Sequence, residues 1–126
     1  GIIMFLYHKV SKWLDSSLAQ KIPDEVMALC FNLYDDGNGR WSMELIGAGS
    51  FDLDDSDWPC EEVTDFMTRE SPFVWNSSSK WDVVLNEMAD VLKKYLQHGK
   101  YADLLKSKSG VGIGFVDGDI EVFFHR

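Results

Sequence analysis

The chain contains 126 residues, which is enough for one ordinary domain and too few for two. Its 45% hydrophobic and 13% aromatic content excludes a disordered chain, and its 26% charged residues are typical of a soluble protein. The formal net charge is −9, and the excess lies in residues 23–65, which carry one basic residue against twelve acidic ones. Such a field repels nucleic acids and attracts basic partners, so we predict a single domain over residues 1–126 that does not bind nucleic acid.

The start of the chain does not have the pattern of a targeting signal. Its apolar stretch from Ile2 to Tyr7 is short, and the basic residues follow it instead of preceding it. No stretch approaches the roughly 18 apolar residues that a membrane span requires. Cys30 and Cys60 have neither the spacing of a metal site nor the number of a disulfide framework. We therefore predict a cytoplasmic protein with no membrane association, no metal and no cofactor.

The first half of the chain predicts a helix and a hairpin. The helix runs from about Met4 to Lys21, and Pro23 ends it. Its apolar residues recur at a spacing of three to four positions: Leu6, Val10, Trp13, Leu14 and Leu18. Apolar and polar residues then alternate on both sides of the glycine-rich stretch 35–40, which predicts two strands joined by a loop over residues 26–45.

The second half predicts two more helices and a second hairpin. A short helix is expected from Trp58 to about Thr68, because Pro59 suits the first turn of a helix. A long helix is expected from about residue 79 to Gly99. Its apolar stripe consists of Trp81, Val84, Leu85, Met88, Leu92, Tyr95 and Leu96. Alternation over residues 111–124 around the turn at 117–118 predicts the second hairpin, in which the glycines of 110–114 let a helix or a ring pack closely.

These elements together predict an α+β fold. About four antiparallel strands in two hairpins would pack against the N-terminal helix and the long central helix. A hydrophobic helix stripe and the apolar face of a sheet each need a covering layer, and the two would cover one another. The pattern contains no internal linker and no repeat, which agrees with a single domain.

Residues 51–65 form the most unusual segment, with seven acidic residues and no basic one. A calcium loop starting at Asp52 would need glycine at its sixth position and glutamate at its twelfth, where Asp57 and Val63 stand, so no metal site is predicted. Two interpretations remain open. The segment is either a solvated loop whose aromatic residues fill the core, or a docking surface that pairs with arginine and lysine of a basic protein partner. The docking surface would comprise Asp52, Asp54, Asp55, Asp57, Trp58, Glu61 and Glu62.

Catalytic motifs are not recognisable in the chain. The glycines from Gly110 to Gly114 lack the spacing and the following lysine of a phosphate-binding loop. The remaining enzymatic alternative is a small site around Cys60 and its neighbouring carboxylates, which predicts a concave pocket beside Cys60. We therefore expect a binding protein, with this enzyme as the second hypothesis.

Part of the chain resembles a group of small, acidic, uncharacterised bacterial proteins. The resemblance rests on three stretches, residues 40–47, Phe51-Asp52 and residues 57–63, the last containing an aspartate-tryptophan pair shortly before a cysteine. In size, acidity and α+β pattern the chain is also similar in type to the immunity proteins of bacterial polymorphic toxin systems. That resemblance implies a protein that neutralises a toxin domain, with its acidic surface covering a basic partner.

Overall fold

The computed structural model describes residues 2–126, apart from the side chain of Asp65. Over these residues the chain forms an α+β fold of helices on one six-stranded sheet. The helices are α1 (Ile2–Leu18), α2 (Trp81–His98) and α3 (Ala102–Lys106). The strands are β1 (Ala28–Gly37), β2 (Arg40–Ala48), β3 (Glu62–Met67), β4 (Phe73–Asn76), β5 (Gly110–Phe115) and β6 (Glu121–His125).

Both predicted hairpins are present, but the sheet is larger and mixed. The strand order is β3-β2-β1-β5-β6, and β4 pairs with the first half of β2. The hairpins β1–β2 and β5–β6 are antiparallel, whereas β1 and β5 pair in parallel with Leu29 opposite Val111. The expectation of about four antiparallel strands is therefore corrected. The parallel pair arises because the chain crosses over through α2 and α3 before it returns beside β1.

The first hairpin turns through residues that accept a left-handed backbone. Gly37, Asn38 and Gly39 have φ angles of 87°, 55° and 76°. Glycine adopts this region without steric cost, and asparagine tolerates it better than most residues. The connection is therefore shorter than the predicted loop over residues 35–40, because β1 continues to Gly37 and β2 begins at Arg40.

The main core lies between the helices and one face of the sheet. The alternating positions Leu29, Phe31 and Leu33 of β1 are fully buried there. The predicted stripe of α1 is confirmed by the buried Val10, Leu14 and Leu18, and that of α2 by its buried residues Val84, Met88, Leu92, Tyr95 and Leu96. Each such aliphatic side chain stabilises the fold by about 1.5–3 kcal/mol when it is fully buried.

Trp81, the first member of the predicted α2 stripe, differs from the rest. It remains 60% exposed, although the stripe predicts a core position. The difference arises because Trp81 lies in the first turn of α2, at the margin of the sheet, where its ring contacts Phe115 at the end of β5 edge to face.

The second face of the sheet has its own, smaller core. Ala28, Cys30, Ile46, Ala48 and Trp58 are buried together there. The predicted helix from Trp58 to Thr68 is wrong, because only Trp58–Cys60 form a turn of 3-10 helix and the chain then enters β3. Pairing with the edge of β2, across an irregularity between Ile46 and Ala48, supplies hydrogen bonds that a helix would have made internally.

Candidate functional site

The acidic loop, defined as residues 49–61, lies across this second face. Its two ends meet where the Gly49 N–H donates to the Glu61 carbonyl at 2.7 Å. Two aromatic residues, Phe51 and Trp58, attach the middle of the loop to the sheet. Their rings stack edge to face with centroids 5.1 Å apart. The loop therefore has the form of an Ω loop, closed at its ends and packed by its own side chains.

Glycines in β5 make this packing possible. A Cβ atom built on Gly110 would overlap the ring of Phe51, and one on Gly112 would lie 3.0 Å from the ring of Trp58. The expectation that these glycines admit a closely packed ring is confirmed. The two rings hold the loop at a fixed height above the sheet.

Two aspartates give the loop its internal shape. Asp52 accepts the N–H of Asp54 at 2.9 Å, and Asp55 accepts the N–H of Asp57 at 3.0 Å. Such Asx turns replace the backbone hydrogen bonds that a loop lacks. Asp52 and Asp55 therefore help to hold the shape of the loop. Within residues 2–126, the carboxylates of Asp54 and Asp57 make no such turn.

The structure divides the seven predicted site residues into two groups. Five lie exposed along the acidic loop: Asp52, Asp54, Asp55, Asp57 and Glu61. Glu62 lies in β3, half-buried, and accepts a hydrogen bond from Arg69 at 2.8 Å. Trp58 is only 2% exposed, so its expected role as a contact for a partner is corrected to that of an internal anchor for the loop.

A polar cluster beside the loop was not singled out from the sequence. Its centre is Glu44 of β2, which is 3% exposed. One carboxylate oxygen of Glu44 accepts from the Tyr34 hydroxyl at 2.6 Å and from Asn32 at 3.3 Å, and the other accepts from Arg69 Nε at 3.0 Å. The alternation of residues in β2 predicts that Glu44 and Met43 lie on opposite faces of the sheet. It does not predict the hydrogen-bond partners of Glu44, because these come from β1 and from the chain after β3.

The ionisation of this cluster follows from its contacts. Burial opposes the charge of Glu44, yet the hydrogen bonds from Tyr34, Arg69 and Asn32 outweigh it and lower the pKa of the carboxyl. Burial, followed by the hydrogen bond to Glu44, raises the pKa of Tyr34 to about 12. Hydrogen bonds to Glu62 and Glu44 raise the pKa of Arg69. The cluster is a paired, ionised network that fastens the start and end of β3 to β2.

The two cysteines lie in different surroundings. Cys30 is buried in β1, and desolvation, followed by the charge of Glu44, raises the pKa of its thiol to about 12. Cys60 is exposed at the end of the acidic loop. Neither of the two cavities described below has Cys60 in its wall.

Two surface cavities are formed elsewhere. One, of about 650 Å³, lies between α1 and the segment after β3, and its mixed polar and apolar wall includes Trp13, Ser16, Gln20, Met67, Thr68 and Glu70. The other, of about 470 Å³, lies where β1 and β5 end beside the start of α2. Its wall includes Asp35, Trp81, Leu85, Phe115, Asp117 and Asp119, and we call it the Trp81 cavity.

Neither a cluster of metal-ligating side chains nor a helix able to span a membrane is found in the described part of the chain. Within residues 2–126, omitting the Asp65 side chain, no three histidine, cysteine or acidic side chains are grouped closely enough to hold a metal ion. None of the described helices combines the length and apolarity needed to traverse a bilayer.

Comparison of the chain with protein-family profiles, with curated proteins and with solved structures gave no significant match.

Proposed function

We propose that this protein is a protein-binding module, and specifically an immunity protein that neutralises a basic toxin domain through the acidic loop. The observation that carries the proposal is the loop itself, where five exposed carboxylates sit on a segment whose ends and aromatic rings are fixed to the sheet. Among residues 2–126, none of these five carboxylates forms an ion pair with the protein's own basic side chains. Their charge is therefore free to act on a partner.

A fixed, unneutralised acidic surface suits fast and specific association. Its field increases the rate of encounter with a basic surface, and this effect weakens as salt screens it. Because the loop is already closed and packed, little conformational freedom is lost on binding, which improves affinity. Neutralisation would follow from coverage of the basic substrate-binding surface of the toxin.

The first test is charge reversal that leaves the loop folded. Asp54→Lys, Asp57→Lys and Glu61→Lys change exposed carboxylates while they keep the Asx turns made by Asp52 and Asp55. With the basic partner isolated by affinity capture on the immobilised wild-type protein, we expect the association rate to fall about tenfold or more at low salt, and its salt dependence to become weaker.

The matched control reverses three exposed acids on other elements. Glu70→Lys, Asp90→Lys and Asp103→Lys produce the same change in net charge away from the loop. The control should retain most of the association rate. Equal loss in both triple variants would show that net charge alone matters and would remove the loop from the proposal.

A second test separates an immunity protein from a binding module of another kind. The protein encoded beside this chain's gene is expressed alone and together with this chain, and growth of the host is measured. The proposal expects growth arrest with the neighbour alone, rescue on co-expression, and loss of rescue with the loop variant. A folded wild-type protein that binds its partner without restoring growth would contradict the immunity role.

A further inference from the structure

The Trp81 cavity combines an open aromatic wall with an acidic rim. It lies at the ends of the parallel strands β1 and β5, away from the acidic loop, which packs over Gly110 and Gly112 near the start of β5. Its volume of about 470 Å³ falls within the range of about 300–1,000 Å³ that is usual for ligand pockets.

Trp81 is the aromatic feature of this cavity. It is 60% exposed, whereas the other four tryptophans are buried or half-buried. Phe115 supports it edge to face, with centroids 6.2 Å apart and planes at 85°. Leaving so large an apolar ring in water costs hydrophobic stabilisation, and exposed tryptophans are frequent among the residues that dominate protein interfaces.

The rim carries three exposed carboxylates and no basic side chain. Asp35 comes from the end of β1, and Asp117 and Asp119 come from the turn between β5 and β6. No group of three acidic, histidine or cysteine side chains that could hold a metal ion occurs among the described residues, so the rim does not form a metal site. A cation that binds in this cavity must therefore be an extended group that contacts both the carboxylates of the rim and the indole ring of Trp81.

We infer that the Trp81 cavity is a socket for an arginine side chain of a partner protein. A guanidinium ion is planar, stacks on an indole face and donates in a fork to carboxylates, which matches an aromatic wall beside an acidic rim. The partner is a protein because apolar surface continues past the cavity at Val116, which lies between Phe115 and Asp117 in the chain and is 52% exposed. A free amine would leave this side chain uncovered.

The inference can be tested without knowledge of the partner. Three capped peptides of the form Ala-X-Ala, with X as arginine, lysine or citrulline, are titrated into the isotopically labelled protein. The indole N–H resonances are followed by NMR, and Trp81→Phe assigns the signal of Trp81. Citrulline has the shape of arginine without its charge, so it is the matched control for electrostatics.

We expect the arginine peptide to shift the Trp81 signal saturably with a Kd of about 1–10 mM, as a few contacts to one side chain permit. The citrulline and lysine peptides should bind at least about tenfold more weakly. The double variant Asp117→Asn and Asp119→Asn should weaken arginine binding about tenfold, while Asp54→Asn with Asp57→Asn leaves it unchanged.

Results that contradict the inference can also be stated specifically. Equal binding of citrulline would remove the role of charge, and equal binding of lysine would make the cavity a general cation site and overturn the guanidinium assignment. Absence of a Trp81 shift up to about 50 mM arginine peptide, in a protein whose NMR spectrum shows it folded, would also overturn the inference. Weakening by the Asp54 and Asp57 changes would move the site to the acidic loop, so the two proposals fail separately.

Discussion

The acidic loop and the Trp81 cavity are built from the same residue types in opposite arrangements. Each places a tryptophan beside several carboxylates. In the loop Trp58 is 2% exposed and faces inward against the sheet, whereas in the cavity Trp81 is 60% exposed and forms part of the wall. Clustered acidic residues in the sequence therefore show where a surface is charged. Whether an aromatic residue beside them supports the fold or contacts a partner depends on the backbone around it.

The largest expected effect is on stability and separates the two tryptophans. Trp58→Ala should lower the free energy of unfolding by about 3–5 kcal/mol, because it empties the second core and releases the acidic loop. Trp81→Ala should lower it by about 1 kcal/mol or less, since most of the side chain is already in water. Urea titrations followed by circular dichroism measure both values.

The same urea titrations can contradict this distinction between Trp58 and Trp81. Comparable losses for the two variants would mean that Trp81 contributes to the core, and its cavity would then lose its status as a binding surface. A loss below about 1 kcal/mol for Trp58→Ala would mean that Phe51 alone anchors the acidic loop.

Local patterns predicted the elements in which one face of a strand or helix is buried. The alternation in β1 and the stripe of α1 led directly to the buried residues Leu33 and Leu14, because periodicity reports which side is covered. The parallel pairing of β1 with β5 was missed, since it joins segments that are distant in sequence and leaves no local signal. The segment after Trp58 was misread because Pro59 suits the start of a helix, whereas pairing with β2 decides its conformation.

The candidate sites, like the fold, could be predicted only in part from the sequence. The charge of the loop is visible in the sequence, but the burial of Trp58 depends on Gly112, more than fifty positions away. The Trp81 cavity could not be predicted, because its rim comes from the end of β1 and from the turn between β5 and β6, and part of its wall comes from the start of α2. The network around Glu44 likewise needs the register of β1 on β2 before its partners can be named.

The second prediction concerns the network around Glu44 that fastens β3 to β2. Glu44→Gln should lower the free energy of unfolding at neutral pH by about 1–2 kcal/mol, because it weakens charge-assisted hydrogen bonds from Arg69 and Tyr34 while the half-exposed Arg69 regains some water. The pKa of Glu44 is lowered on folding, so its ionised form stabilises the protein above the ordinary value of 4.5. That contribution is lost as the pH falls through the lowered pKa.

The measurement is the difference in unfolding free energy between wild type and Glu44→Gln across pH 3–7. The gap should stay constant near neutrality and narrow below about pH 4.5. Glu121→Gln, at an exposed position of β6, is the control and should produce no gap at neutral pH. A gap that widens on acidification would contradict a lowered pKa.

The third prediction uses two glycines in the same hairpin. Alanine at 112 brings a Cβ atom to 2.8 Å from Ile120 and 3.0 Å from Trp58, so Gly112→Ala should cost about 1–2 kcal/mol. Gly118→Ala meets only ordinary contacts at 3.7 Å and should be neutral or stabilising by a few tenths of a kcal/mol. Thermal unfolding of both variants tests the sign, and stabilisation by Gly112→Ala would show that Trp58 is not held tightly against β5.

The smallest effect leaves stability unchanged and measures exposure on the loop face directly. In the native protein at pH 8, a maleimide should modify Cys60 promptly, because its side chain is exposed. Cys30 should react only after unfolding, because burial both blocks the reagent and raises the pKa of its thiol to about 12, which leaves almost no thiolate. Mass spectrometry of Cys60→Ser and Cys30→Ser assigns each modification. Prompt reaction of both thiols would show that the acidic loop opens on the timescale of labelling, and the loop would then lose the fixed shape on which its proposed role in binding a basic partner depends.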